Sequence, residues 1–224
     1  MVLSAALTVV TSVALTAPAA QSPAARSPES GSSDQSGEQR RTWVTDTHRY
    51  TSRWYARAHR KMINYGCTRA PFYDPDPRCI RNRGFHHGLD IAMPCGTRLF
   101  AGFRGAIVRP GAQGTLGTAY GRKGFRIRNY DKGVDVVIGH ARRVYVDPGD
   151  RIRRGQLIAR ANKLGAPDGC HLHFEVRPIG GEYQDAVRPH PYLKLRRWAA
   201  AGQPLGSRGE AAGRPRTRVE GCPT

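Results

Sequence analysis

The chain predicts a mainly β domain, built on an antiparallel sheet with few short helices, and three observations carry that expectation. From about Thr97 onward apolar and polar residues alternate in short runs, the period of half-buried strands. Turn-forming text separates the runs at Gly111-Ala112-Gln113-Gly114, Asp131-Lys132-Gly133, Asp147-Pro148-Gly149-Asp150 and Pro167-Asp168-Gly169. No stretch sustains a helical period, and many short strands at such spacing imply antiparallel pairing.

Residues 1–19 are apolar and small, ending in Ala17-Pro18-Ala19, and read as a secretory segment with an A-x-A cleavage site. The charged start of such a segment is missing, the first basic residue being Arg26. The segment is too short, and too rich in Ala, Ser and Thr, for a membrane span, so no stable membrane anchor is expected. Residues 20–42 are rich in Ser, Gly, Gln, Glu and Pro, and bury too little apolar surface to offset ordering entropy, which predicts a disordered linker. Residues 43–80 form an N-terminal extension on or near the core. Its part up to residue 65 carries Trp43, Trp54, Tyr55 and Met62 among basic residues, and reads as an amphipathic helix or an extended wrap. Within the main domain, 81–200, strands are expected at Thr97–Phe103, Gly105–Arg109, Phe125–Asn129, Val134–His140, Gln156–Ala161 and His171–Arg177. Residues 192–201 read as a helical turn or more, and 201–224 as a disordered basic tail.

The formal net charge is +19 on 224 residues. Such a balance points to a polyanionic partner, either nucleic acid or a bacterial wall with its carboxylate- and phosphate-bearing polymers, or else to an arginine-rich bias of composition. No motif indicates specific nucleic-acid recognition, and nothing indicates more than a monomer. Five cysteines fit an oxidising compartment. No C-x-x-C spacing occurs, which argues against a four-cysteine zinc site.

Two histidine motifs stand out. One is His86-His87-Gly88-Leu89-Asp90, the other Cys170-His171-Leu172-His173-Phe174-Glu175-Val176. Neutral imidazoles and carboxylates are good zinc ligands, and three of them with one open position describe a catalytic site. On a strand His171 and His173 face the same way, while Leu172 and Phe174 face the core. His87 would point away from His86 and is not expected to be a ligand. Glu175 shares the face of His171 and His173.

Much of the text between and beyond these motifs resembles the M23 family of zinc endopeptidases, the lysostaphin and LytM class that cuts peptidoglycan cross-bridges. The matching segments begin with His86-x-Gly88-x-Asp90-Ile91-Ala92-x-Pro94-x-Gly96-Thr97. Val146-Asp147-Pro148-Gly149-Asp150-Arg151-Ile152-Arg153-Arg154-Gly155-Gln156-Leu157-Ile158 follows, then His171-x-His173-Phe174-Glu175-Val176-Arg177, then Pro189-His190-Pro191-Tyr192-Leu193. The resemblance covers roughly residues 80 to 195. It implies a LytM-like twisted sheet as the floor of a groove, with loops such as 110–124 as walls. It implies one zinc ion held by His86, Asp90 and His173. His171 would move a proton from the attacking water or hold the oxyanion, with His140 as its partner. Glu175 has no catalytic role in the family and is expected to support its neighbours. At His140 the text departs from the family's Tyr-x-His-Leu, reading Ile138-Gly139-His140-Ala141. The family's stabilising tyrosine is not placed; Tyr65, Tyr73 and Tyr120 are candidates. With a metal shared by His86, Asp90 and His173, Cys95 and Cys170 come close, so Cys67–Cys79 and Cys95–Cys170 are the expected disulfides and Cys222 is left over.

The text Val146-x-x-Gly149-x-x-Ile152-x-x-Gly155 is also similar to the hammerhead of biotinyl and lipoyl carriers. No lysine stands at a hairpin tip, so shared β architecture is all it implies. The expected function is therefore a secreted, cell-wall-associated zinc endopeptidase acting on peptidoglycan peptides, with anionic wall polymers as possible partners. The alternatives are a catalytically weak relative that activates other wall hydrolases, and a plain polyanion-binding module. The complete set of ligands and accessory histidines favours the enzyme.

Overall fold

A computed structural model describes residues 46–199. The secretory-like segment, the linker, the basic tail, Trp43 and Cys222 lie outside the described residues. The strands are β1 (Arg49–Ser52), β2 (Tyr55–Lys61), β3 (Gly66–Thr68), β4 (Gly84–His86), β5 (Gly88–Ala92), β6 (Arg98–Phe100) and β7 (Gly105–Ile107). They continue with β8 (Phe125–Asn129), β9 (Val134–Gly139), β10 (Ala141–Arg142), β11 (Arg151–Ile152), β12 (Leu157–Ala161), β13 (His171–Pro178) and β14 (Arg196–Arg197). A single turn of helix, α1, spans His190–Leu193. None of the helices among the described residues is long and apolar enough to cross a membrane.

All pairings are antiparallel. The main sheet runs β10-β12-β6-β2-β5-β13-β9-β8-β7-β11, with β1 joined to β2 and β14, while β3 and β4 form a separate pair. The sheet curls so far that Asn162, just past β12, bridges His171 at the start of β13. Curling follows from the right-handed twist of successive strands. It wraps one apolar face around a core of Trp54, Leu89, Ile91, Leu99, Ile138, Ile158, Leu172 and Phe174. The Trp54 ring meets Phe103 and Phe174 edge-on, each at 4.8 Å between centroids, and its indole N–H donates to the Tyr192 carbonyl at 3.0 Å. Aromatic side chains of this size contribute about 3 kcal/mol or more when fully buried, so truncation of Trp54 should be felt throughout the sheet.

Two expectations are corrected. The stretch around Trp54 is neither helix nor surface wrap: β2 lies between β5 and β6, inside the sheet. Its alternation is hidden because Arg57, midway between buried Tyr55 and His59, takes a left-handed φ of 67° and is exposed where the period would turn it inward. The helical turn falls earlier than expected, at His190–Leu193, and Arg196–Arg197 instead pair with β1. The strand expected over Thr97–Phe103 shortens to Arg98–Phe100, and Phe125–Asn129 holds its full length. The wall segment 110–124 contains a short turn, Thr118–Tyr120, that buries Tyr120. It is pinned from below by Arg126, whose guanidinium donates to the carbonyls of Ala112 and Gln113.

Candidate metal centre

Register builds the site. On β13, His173 stands opposite Asp90 of β5, and His171 opposite Ala92. Directly opposed residues of an antiparallel pair share a face. Asp90, His171 and His173 therefore look away from the core, and Leu89, Ile91, Leu172 and Phe174 look into it. Asp90 is fixed further by its backbone, which accepts from Met62 N at 2.7 Å and donates to Ile63 O at 2.8 Å. His86 ends β4, opposite Gly66.

Glycines on both flanking strands make room for the His173 ring. A Cβ at Gly88 would lie 2.5 Å from His173 Cε1, and one at Gly139 would lie 2.9 Å from His173 Cβ. Any larger residue at either place would displace the ring. Gly139 occupies the unspecified position of the Tyr-x-His-Leu text from which Ile138 and Ala141 depart.

The three side chains converge. His86 Nε2 lies 3.2 Å from His173 Nδ1, while Asp90 Oδ1 is 2.9 Å from His173 Nδ1 and 3.4 Å from His86 Nε2. One ligand atom from each falls within 4.8 Å of the others, and all three residues are buried. Atoms bound at zinc distances of about 2.0–2.2 Å in a tetrahedron lie about 3.2–3.6 Å apart, close to these separations.

Each ring is also held from behind. The second nitrogen of His86, Nδ1, contacts the Asn64 carbonyl at 3.1 Å. That of His173, Nε2, contacts Glu175 Oε2 at 3.1 Å. A carboxylate or carbonyl behind a histidine fixes its tautomer and raises its basicity as a ligand. Glu175 is itself anchored: it accepts from the Tyr120 hydroxyl at 2.7 Å and from Arg177 Nε, and Arg177 also donates to Tyr120 Oη at 2.7 Å.

The charges follow from this packing. Burial alone would raise the Asp90 carboxyl, but the facing imidazoles of His86, His171 and His173 hold it well below the usual carboxylate range. Burial would likewise lower the His173 imidazole, yet hydrogen bonds and charge from Asp90 and Glu175 carry it up to about 9. For the protein groups alone, this pocket stabilises positive charge at His173.

Two further histidines border the cluster. The His140 ring centroid lies 4.4 Å from that of His171 and 5.9 Å from that of His173. His140 Nδ1 donates to the Leu164 carbonyl at 2.8 Å, which leaves Nε2 with its lone pair. Burial, then the neighbouring His171 and His173, push its pKa down to about 4, so it is neutral at pH 7. Its backbone sits in the left-handed region at φ 53°, a strained choice for a non-glycine residue that structures retain at working sites. His171 Nδ1 donates to Gly169 O at 2.9 Å, and its Nε2 is 3.7 Å from Asp90 Oδ2.

His87 stays out of the cluster: its ring packs 3.7 Å from that of Tyr183, and its Nε2 contacts Arg78 at 2.9 Å. Among the candidate tyrosines, Tyr120 is committed to Glu175 and Arg177, and Tyr65 donates to Ala186 O at 2.8 Å. Tyr73 lies with its ring 5.3 Å from that of His86. Disulfides join Cys67 to Cys79, with Cα atoms 5.5 Å apart, and Cys95 to Cys170, 5.2 Å apart. The first closes the loop that carries Tyr73; the second ties the turn after β5 to the start of β13.

Sequence reasoning did not find Asn64, Leu164, Tyr120 with Arg177 as the anchor of Glu175, or Asp168, whose Oδ1 is 3.6 Å from His171 Nδ1. Only Arg177 and Asp168 carried a readable signal, as charged residues immediately beside the HxH text.

Two histidines and an aspartate converge on one face of a curled sheet, a group that could hold a metal ion. Residues 84–189 match the model of Peptidase family M23, and this part of the chain belongs to that family. Lysostaphin from Staphylococcus simulans is 30% identical over 156 residues, 70% of this chain and 29% of that protein. The glycyl-glycine endopeptidase ALE-1 of Staphylococcus capitis is 30% identical over 133 residues, 54% of this chain and 32% of that protein. The chain thus spans about a third of the length of these relatives. Among solved structures, the catalytic domain of lysostaphin from Staphylococcus simulans aligns at 27% identity and a TM-score of 0.47, covering 61% of this chain and 92% of that one.

Proposed function

We propose that this chain is a secreted, zinc-dependent endopeptidase that hydrolyses peptide bonds in peptidoglycan stems or cross-bridges. The observation that carries the reading is the convergence of His86 Nε2, Asp90 Oδ1 and His173 Nδ1, with His171 and His140 beside them. The donor set suits zinc: two imidazoles, one carboxylate kept ionised, and a carbonyl or carboxylate behind each ring. Bound there, zinc would lower the pKa of a water and polarise the scissile carbonyl.

The chain's own groups supply the rest. His140, neutral and with Nε2 free, accepts a proton during attack. His171 either shares that proton transfer or holds the developing oxyanion, and Gly169 O fixes its ring, with Asp168 Oδ1 3.6 Å from the same nitrogen. Tyr73, whose hydroxyl belongs to neither of the networks of Tyr65 and Tyr120, is assigned the stabilising role left open by the sequence. Burial, then the charges of Asp90 and Asp168, raise its pKa, so it remains a hydrogen-bond donor. The name of ALE-1 as a glycyl-glycine endopeptidase supports an action on cross-bridges. Purified walls of defined cross-link type, digested with the zinc-loaded chain and analysed by mass, test the reading. New amine termini within stem or bridge peptides are expected. Intact peptides throughout, with full metal occupancy, would sink it.

A further inference from the structure

We propose that the face of the sheet carrying Arg98, Arg142 and Arg160 is a docking surface for a phosphate-bearing anionic polymer. This goes beyond the hydrolytic reading and does not depend on it. Arg142 of β10 stands directly opposite Arg160 of β12, and Arg160 directly opposite Arg98 of β6. The neighbouring pairs Ala141–Ala161 and Ala159–Leu99 are buried in the core, so all three arginines lie on the outer face. Arg98 and Arg142 are exposed and Arg160 is partly so.

The row is unbalanced, whereas several other cations of the molecule have a carboxylate partner. Arg104 pairs with Asp131, Arg128 with Asp135, Arg78 with Asp76, Lys61 with Asp46 and Arg177 with Glu175. β6, β10 and β12 contain no Asp or Glu, and among the described residues none of the three arginines pairs with a carboxylate. Like charges set directly opposite each other weaken a sheet. The arrangement therefore carries a cost in the free chain that an anion removes.

Geometry narrows the ligand. Strands stand about 4.8 Å apart, so the Cα atoms of the three arginines span about 10 Å, which fits charges repeated along a chain better than one small anion. Arg160 is oriented in advance, donating from Nε to Tyr145 Oη and from a terminal nitrogen to Gly96 O, each at 2.9 Å. Guanidinium forks match phosphate oxygens. Beside Arg98, whose guanidinium lies 5.9 Å from the Phe100 ring, a shallow depression of about 440 Å³ extends the row. It is lined by Ser52, Arg53, Tyr55, Phe100, Arg154 and Gly155, adding two more arginines. The row itself offers two neighbouring rings, Phe100 and Tyr145, whereas single-stranded nucleic acids are held by longer series of stacking aromatics. Charge, rather than bases, is what this face reads.

The test uses fluorescently labelled inorganic polyphosphate titrated with the full chain, followed by anisotropy at several salt concentrations. The double variant Arg98→Gln/Arg142→Gln is compared with Lys132→Gln/Arg188→Gln, two exposed cations elsewhere with the same change in charge. The row variant should bind at least about tenfold more weakly, and its slope of log K against log salt should fall by about 1.4, at about 0.7 per phosphate contact on a flexible strand. The control should stay within about twofold of the parent, and the row variant should unfold at no lower temperature. Equal loss in both variants, or none in the row variant, overturns the proposal. So does polyglutamate binding as tightly as polyphosphate, or single-stranded DNA of equal charge binding about tenfold tighter.

Discussion

Around β5 and β13 the charged groups are buried, of both signs, and each is held by named partners. Across β6, β10 and β12 they are exposed, of one sign, and face each other. Asp90, Glu175 and Arg177 are each at most 2% exposed, and each is engaged by at least one oppositely charged or hydrogen-bonding group. The difference is in what each arrangement can do. A buried, mutually satisfied network has a fixed geometry and suits chemistry at contact distance. A row of like charges at the surface, even with Arg160 oriented by Tyr145 and Gly96, acts mainly through a field that salt screens.

The buried side is the more sharply testable, and the largest effects belong there. His86→Ala or His173→Ala should abolish both zinc binding and hydrolysis, read as metal content of the purified chain and as turnover. A folded His86→Ala/His173→Ala double variant that keeps full metal occupancy would dissolve the comparison, since the buried cluster would then have no task. His171→Ala should keep its zinc and lose about 10²–10⁴-fold in turnover, the usual worth of a proton-transfer group. Loss of metal on that substitution would exchange the roles of His171 and His173.

Glu175→Gln should weaken zinc binding about 10–100-fold, the typical effect of removing the carboxylate behind a ligating histidine, and Tyr120→Phe should do less. Competition with a chromogenic chelator measures both. A milder effect concerns protons. In the chelator-treated chain His173 has its pKa raised to about 9. A raised base contributes stability that is fully present below its unfolded value of about 6.5 and is lost as pH rises through 9. Zinc must displace that proton. Calorimetry in two buffers of different ionisation enthalpy should therefore show about one more proton released on zinc binding at pH 7.5 than at pH 10. Equal release at both would place the proton elsewhere.

How much of this was legible depended on sequence distance. His171 and His173 are two apart within an apolar alternation, so their shared face follows from the strand period alone. His86 and Asp90 were legible through a familiar spacing, and strands such as Phe125–Asn129 through clean alternation between turns. β2 was not, because one left-handed residue, Arg57, breaks the period. The partners behind the ligands were hidden for another reason. Asn64 and Leu164 act through backbone carbonyls, which every residue carries, and Tyr120 reaches Glu175 across 55 positions. The arginine row was visible only as net charge, since Arg98, Arg142 and Arg160 become neighbours through register, which no local pattern encodes.

The smallest expected effect separates the two regions most directly. Exposed charges are screened over about 8 Å at physiological ionic strength, and less than half that near 1 M. The buried cluster works through atoms 2.9–3.4 Å apart with no solvent between them, and should feel salt little. Rates on insoluble walls and on a short soluble peptide are therefore compared as salt is raised. If the exposed arginines concentrate the enzyme on an anionic wall, the rate on walls falls well before the rate on the peptide. The Arg98→Gln/Arg142→Gln variant should begin nearer the parent's high-salt rate on walls and lose less from there, while its peptide rate matches the parent's throughout. A parallel fall on both substrates would mean that salt acts on the catalytic cluster itself, and the net charge of +19 would then have no anchoring role.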